Sequence, residues 1–167
     1  MTPEILAWAA SVRQRFPCAP GRTLEIGSFN VNGSVRPLFT DATEYIGTDM
    51  RYGPGVDLVV LNSDLLSRFG AGSFDTIICC ECLEHDIQFM RTVEQIHGML
   101  KSGGRLVITT PAIGFPYHGY PFDYWRFTED AYRQVFFNGL RILEITHLND
   151  HHGGGRDMTV AALGEQA

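Results

Sequence analysis

Three groups of side chains in this sequence have the types and spacing to do chemistry. Glu81, Glu84 and His85 place two carboxylates and an imidazole close together, and His118 opens the run His118-Gly-Tyr-Pro-Phe-Asp-Tyr-Trp-Arg-Phe127. Histidine exchanges a proton near neutral pH, so His85 and His118 are the candidate catalytic bases, with Asp123 ranked behind them. The run after His118 mixes aromatic faces with one guanidinium and one carboxylate, which suits a wall over a small polar ligand. Tyr120, Asp123, Tyr124, Trp125 and Arg126 are its candidate substrate-binding residues; the structural alternative is a packed loop that closes the core. The third group is a turn, Glu25-Ile-Gly-Ser-Phe-Asn-Val-Asn-Gly-Ser34, in which Gly27 and Gly33 let the backbone approach a ligand closely. Asp49 follows Glu25 by 24 residues, about the separation at which an acidic side chain reaches the two hydroxyls of a ribose.

These residues need elements to hold them. Ile5, Trp8, Ala9, Val12 and Phe16 recur at helical spacing over residues 3–16, with Thr2 as cap and Pro3 in the first turn. Short apolar runs at Thr23–Ile26, Tyr45–Thr48, Asp57–Leu61, Phe74–Cys82 and Arg105–Thr110 read as buried strands. Ile87, Met90, Val93, Ile96, His97 and Leu100 mark one face of a helix that Gly103 and Gly104 end. A helix over Thr128–Phe137 precedes two more strands, Leu140–Leu148 and Met158–Leu163. Their linker is too short for a crossover helix, so they pair antiparallel as a hairpin. The expected fold is α/β: a Rossmann-like, seven-stranded, mostly parallel sheet with an antiparallel C-terminal hairpin and helices on both faces, in one domain over residues 1–167. In such a sheet ligands bind at the carboxyl ends of strands, where Gly27, Ser28, Asp49, Asn62, Ser63 and Glu81 all fall.

Composition and missing motifs narrow the chemistry. The net charge of −6, with no basic run, disfavours nucleic acid as a partner. No apolar stretch approaches the roughly 20 residues of a membrane span, and Glu4 stands where a signal peptide would carry positive charge, so a cytoplasmic protein with reduced thiols is expected. A dinucleotide fingerprint would need glycines at positions 27, 29 and 32, but only Gly27 is present, which disfavours a nicotinamide-dependent oxidoreductase. No Gly-Lys-Ser or Gly-Lys-Thr occurs, which removes a P-loop. Cys80, Cys82 and His85 lie close in sequence, as do His151 and His152. The cysteines read as small core residues of a strand, so no metal is assigned.

The chain resembles the class I S-adenosylmethionine-dependent methyltransferases along nearly its whole length. LEIGSFNVNGSVRP resembles the family's first motif, YIGTDMRYGPGVD its second strand, GSFDTIICCECLEH its fourth strand ending in Glu-His, and MLKSGGRLVITTP the turn and fifth strand that follow. HGYPFDYWRFTEDAYRQVF resembles a block of one subgroup. The resemblance implies S-adenosyl-L-methionine as cofactor, with Glu25, Gly27, Ser28 and Gly33 around its methionine part. It implies Asp49 on the ribose, Met50 against adenine, Asn62 and Ser63, or Asp64 in their place, near the adenine amine, and Glu81 near the methionine ammonium. The expected activity is methylation, preferably at oxygen, of a small-molecule or glycan acceptor. A module of the same fold that binds cofactor without turnover is the alternative. With no inserted substrate domain, either the pocket is open or a second copy in a homo-oligomer completes it.

Overall fold

A computed structural model describes residues 1–119, 121–149 and 157–166. The linker histidines His151 and His152 and the candidate Tyr120 lie outside the described residues. Helix α1 (Pro3–Arg15) starts where the Thr2 hydroxyl accepts the Ile5 N–H, and it buries Ile5, Trp8, Ala9 and Val12. Strands β1 (Arg22–Ile26), β2 (Glu44–Asp49) and β3 (Leu58–Val59) follow. Next come the short helix α2 (Leu65–Phe69), β4 (Phe74–Cys80), α3 (Phe89–Met99) and β5 (Leu100–Pro111). The turn α4 (Glu129–Ala131) continues into a π-helical turn at Tyr132–Phe136, and β6 (Leu140–Asn149) and β7 (Asp157–Gln166) complete the chain. No described helix is long and apolar enough to cross a membrane.

The seven strands form one sheet in the order β3-β2-β1-β4-β5-β7-β6. The first five strands run parallel, and β7 enters antiparallel between β5 and β6. Burial on both faces explains why the central strands are almost continuously apolar. On one face, Ile77 and Cys79 join Leu24, Ile26, Leu106 and Ile108 in a core with Leu65 of α2, Val93, Ile96 and Met99 of α3, and Tyr132 and Phe136. On the other, Ile78, Cys80 and Val107 join Ala161 and Leu163 against Trp8, Ala9 and Val12 of α1.

Several boundaries differ from those the sequence suggests. β3 has two residues rather than five, since only Thr48 and Asp49 pair with it. β4 ends at Cys80, because Glu81 turns to a φ of +51°. α3 starts at Phe89 and stops at Met99, ahead of the two glycines. Its expected apolar face is narrower, because Ile87 and Met90 are exposed. The helix expected to reach Phe137 keeps α geometry over only three residues; the Tyr132 hydroxyl, hydrogen-bonded to Thr110 Oγ1 at 2.8 Å, ties the π-helical turn to β5.

Candidate functional site

Strand order reverses between β1 and β4, so their connections leave the sheet in opposite directions and open a crevice beyond their carboxyl ends. A cleft of about 950 Å³ occupies that position. This is enough for a nucleoside-sized ligand together with a second small molecule.

At the end of β1 the chain turns sharply. The N–H groups of Gly27 and Ser28 both donate to the Thr48 carbonyl at 2.9 Å, with Gly27 at a φ of +74°. The buried Ser28 hydroxyl sits against Gly47 of β2 without a hydrogen-bond partner. Glu25, also buried, accepts the Tyr45 hydroxyl at 2.7 Å, and burial pushes its pKa upward. Gly33 lies farther along the same wall, its N–H held by Asn30 Oδ1 at 2.8 Å. At the end of β2, Asp49 Oδ1 accepts the Arg51 N–H at 2.9 Å, which fixes the carboxylate at the rim beside Met50. Met50 is 59% exposed. Asn62 and Ser63 line the cleft below β3, and the Asn62 amide donates to Asp86 Oδ2 at 3.0 Å.

The end of β4 carries the concentrated charge. Glu81 Oε1 accepts the Thr109 hydroxyl at 2.9 Å, and burial, reinforced by the charge of Glu84, pushes its pKa up to about 8. Glu84 has a wholly buried side chain and a pKa pushed up to about 7, chiefly by burial. Its Oε1 lies 3.4 Å from His118 Nε2 and 3.6 Å from His85 Nε2, and its Oε2 has no hydrogen-bond partner. The two imidazoles meet edge to face, their centroids 5.0 Å apart.

The loop after β5 brings His118 to this point. Backbone N–H groups of Tyr124 and Trp125 donate to the Glu84 carbonyl at 2.8 and 3.3 Å, and that of Phe127 donates to Pro111 at 3.0 Å. Asp123 is gripped by the Arg126 guanidinium, which holds its pKa down to about 2. Of the aromatic block, Tyr124 lines the cleft together with Pro121 and Phe122. Asp123 and Arg126 stand behind His118 as an ion pair. Trp125 packs on Phe89 and donates its indole N–H to the Asp86 carbonyl at 3.0 Å. These three are not on the cleft wall.

The structure brings together on the wall Glu25, Gly27, Ser28, Gly33, Asp49, Met50, Asn62, Ser63, Glu81, His85, His118 and Tyr124. Asp86 is the residue that sequence reasoning passed over. It accepts from Asn62, from the Gln88 N–H and from the Thr92 hydroxyl, and so joins the wall below β3 to the start of α3. Its signal in the sequence is an aspartate just ahead of a helix, where its side chain closes a local turn.

Residues 8–153 match the family described as a methyltransferase domain. No curated protein matches the chain. Among solved structures, the chain is similar to the 1,6-didemethyltoxoflavin-N1-methyltransferase of Burkholderia thailandensis, crystallised with 1,6-didemethyltoxoflavin and S-adenosylhomocysteine. That match has 15% identity and a TM-score of 0.76, over 97% of this chain and 78% of that one. The N-methyltransferase NodS of Bradyrhizobium japonicum, in complex with S-adenosylhomocysteine, matches at 14% identity and a TM-score of 0.69, over 98% and 86% of the two chains. The CurJ carbon methyltransferase matches at 15% identity and a TM-score of 0.70, over 99% of this chain and 56% of that one.

Proposed function

The chain belongs to the family of methyltransferase domains, and we propose that it transfers the methyl group of S-adenosylmethionine to a hydroxyl of a small molecule or glycan. The residues present fit that cofactor: a tight glycine turn with an unpartnered, buried Ser28 hydroxyl on one wall, and the Asp49 carboxylate at the adjoining strand end. Asp49 would accept from the ribose hydroxyls. Gly27, Ser28 and Gly33 would lie along the methionine part, with Glu81 near its ammonium. When bound, the cofactor supplies a methyl group already activated by its sulfonium charge.

The protein's own work is then to hold an acceptor oxygen in line and to manage its proton. The observation that carries oxygen as the acceptor is the convergence of His85 and His118 on the buried Glu84 carboxylate, at the cleft wall beside Glu81. A hydroxyl must shed a proton to become a nucleophile, and groups of this kind on the wall would assist that loss. Tyr124, Phe122 and Phe115 give the acceptor an apolar wall, which suits a sugar or a small ring. The acidic net charge argues against a polyanionic acceptor.

The test is the release of S-adenosylhomocysteine with panels of hydroxyl, amine and carbon acceptors. Turnover confined to hydroxyl compounds is the expected result. Preference for amines would overturn the choice of oxygen, and cofactor binding without transfer to any class would favour a binding module.

A further inference from the structure

Glu84, His85 and His118 are arranged as ligands rather than as a hydrogen-bonded relay. The separations of Glu84 Oε1 from the two Nε2 atoms, 3.4 and 3.6 Å, are long for hydrogen bonds. They match the ~3.4 Å edge of a tetrahedron whose centre lies about 2.1 Å from each donor, the usual bond length for imidazole nitrogen or carboxylate oxygen on a divalent ion. All three donors lie within 4.8 Å of one another.

The other ring atoms are fixed from behind. His85 Nδ1 faces the Phe122 carbonyl, and His118 Nδ1 lies 3.2 Å from Asp123 Oδ2, itself held by Arg126. For His85 this backing selects the tautomer whose Nε2 lone pair points forward, as behind metal-bound histidines, whereas His118 Nδ1 faces both Asp123 Oδ2 and, at 3.5 Å, Arg126 Nη2. Independently, the Glu84 side chain is completely buried and its Oε2 has no hydrogen-bond partner, an orphaned buried acceptor that a bound cation would satisfy. The Asp123–Arg126 pair, which sequence reading assigned to substrate, then has a defined part as the support of His118.

We propose that Glu84, His85 and His118 bind one divalent cation of the borderline class, such as Co²⁺ or Zn²⁺, whose open coordination position faces the cleft and receives the acceptor hydroxyl. This deepens the hydroxyl-methylation reading and rests on it only for the role of the ion. A coordinated hydroxyl gives up its proton to solvent more readily. Its oxygen then forms the new bond to the methyl carbon as the carbon–sulfur bond breaks and S-adenosylhomocysteine leaves.

The test uses the tag-free full chain, stripped with chelator and titrated with Co²⁺ under visible spectroscopy and equilibrium dialysis. S-adenosylhomocysteine binding is measured on the same samples. One equivalent of Co²⁺ without thiolate charge-transfer bands is expected. Its affinity should fall at least tenfold in Glu84→Gln, His85→Ala and His118→Ala and stay unchanged in a His151→Ala/His152→Ala double variant, with thermal melting confirming that each variant folds. Thiolate bands, loss of binding only in the double variant, or no stoichiometric binding would each overturn the site. Co²⁺ binding without S-adenosylhomocysteine binding would sustain the metal site and sink the methyl-transfer reading, and the reverse would do the opposite.

Discussion

Asp49 sits where two constraints meet: the last residue of β2 must face outward from the sheet's carboxyl edge, and the Arg51 N–H holds one of its oxygens in place. In the proposed reading, a carboxylate so fixed would give two ribose hydroxyls charged acceptors with little reorganisation cost. Asp49→Ala should therefore weaken S-adenosylhomocysteine binding by about 1.5–3 kcal/mol, roughly 10- to 150-fold. Calorimetry checks this, and an unchanged dissociation constant would remove Asp49 from the site. The place of Asp49 on the cleft wall was legible in the sequence because its signal is local, an acid at a fixed distance from a glycine turn. Glu84 was less so, because its partner His118 lies 34 residues away and meets it only through tethers from Tyr124 and Trp125. Trp125 reads on paper like a substrate contact. In the fold its indole seals Asp86 and Phe89, an outcome that depends on a loop path no periodicity encodes.

At the scale of elements, the strands were easier to read than their ends. Apolar runs mark β1, β4 and β5 because both sheet faces are buried, whereas β3 lies at the edge, where pairing with β2 alone sets its length. The ends of α3 and β4 escaped the same reading because they are set by backbone geometry. Glu81 adopts a positive φ at a strand end, and β5 begins directly at Leu100 before Gly103 makes its own turn. The β1 turn shows how tightly such an end is built. Gly27 has a φ of +74°, and a Cβ there would stand 2.6 Å from Cys82 Sγ and 2.8 Å from its Cβ. Gly27→Ala should cost about 1–3 kcal/mol of stability in urea unfolding, combining backbone strain with the clash. Placing the same substitution in a Cys82→Gly background should recover the steric part only. An equal loss in both backgrounds would show that Cys82 is not what confines the turn.

Across the whole molecule, one sheet separates two cores, and the neighbouring residues Ile77 and Ile78 serve opposite ones. Both side chains are completely buried, so Ile77→Ala and Ile78→Ala should each destabilise by about 2–5 kcal/mol. The two tryptophans report on the two faces. Trp8 is buried on α1 in the core with Ile78, and Trp125 lies against Phe89 beside the core that contains Ile77. Because β4, β5 and β7 contribute buried side chains to both cores, neither can dissolve without exposing the other face of the sheet. Unfolding followed by fluorescence in single-tryptophan variants, Trp8→Phe and Trp125→Phe, should therefore give coincident urea midpoints, and either isoleucine substitution in those backgrounds should shift both probes together. A Trp8 transition that moved with Ile78→Ala while Trp125 stayed in place would mean that the α1 face opens on its own. In that case the cleft wall that α1 shares through Met1 and Thr2 would belong to a separately mobile layer rather than to the scaffold that fixes Glu81 and Glu84.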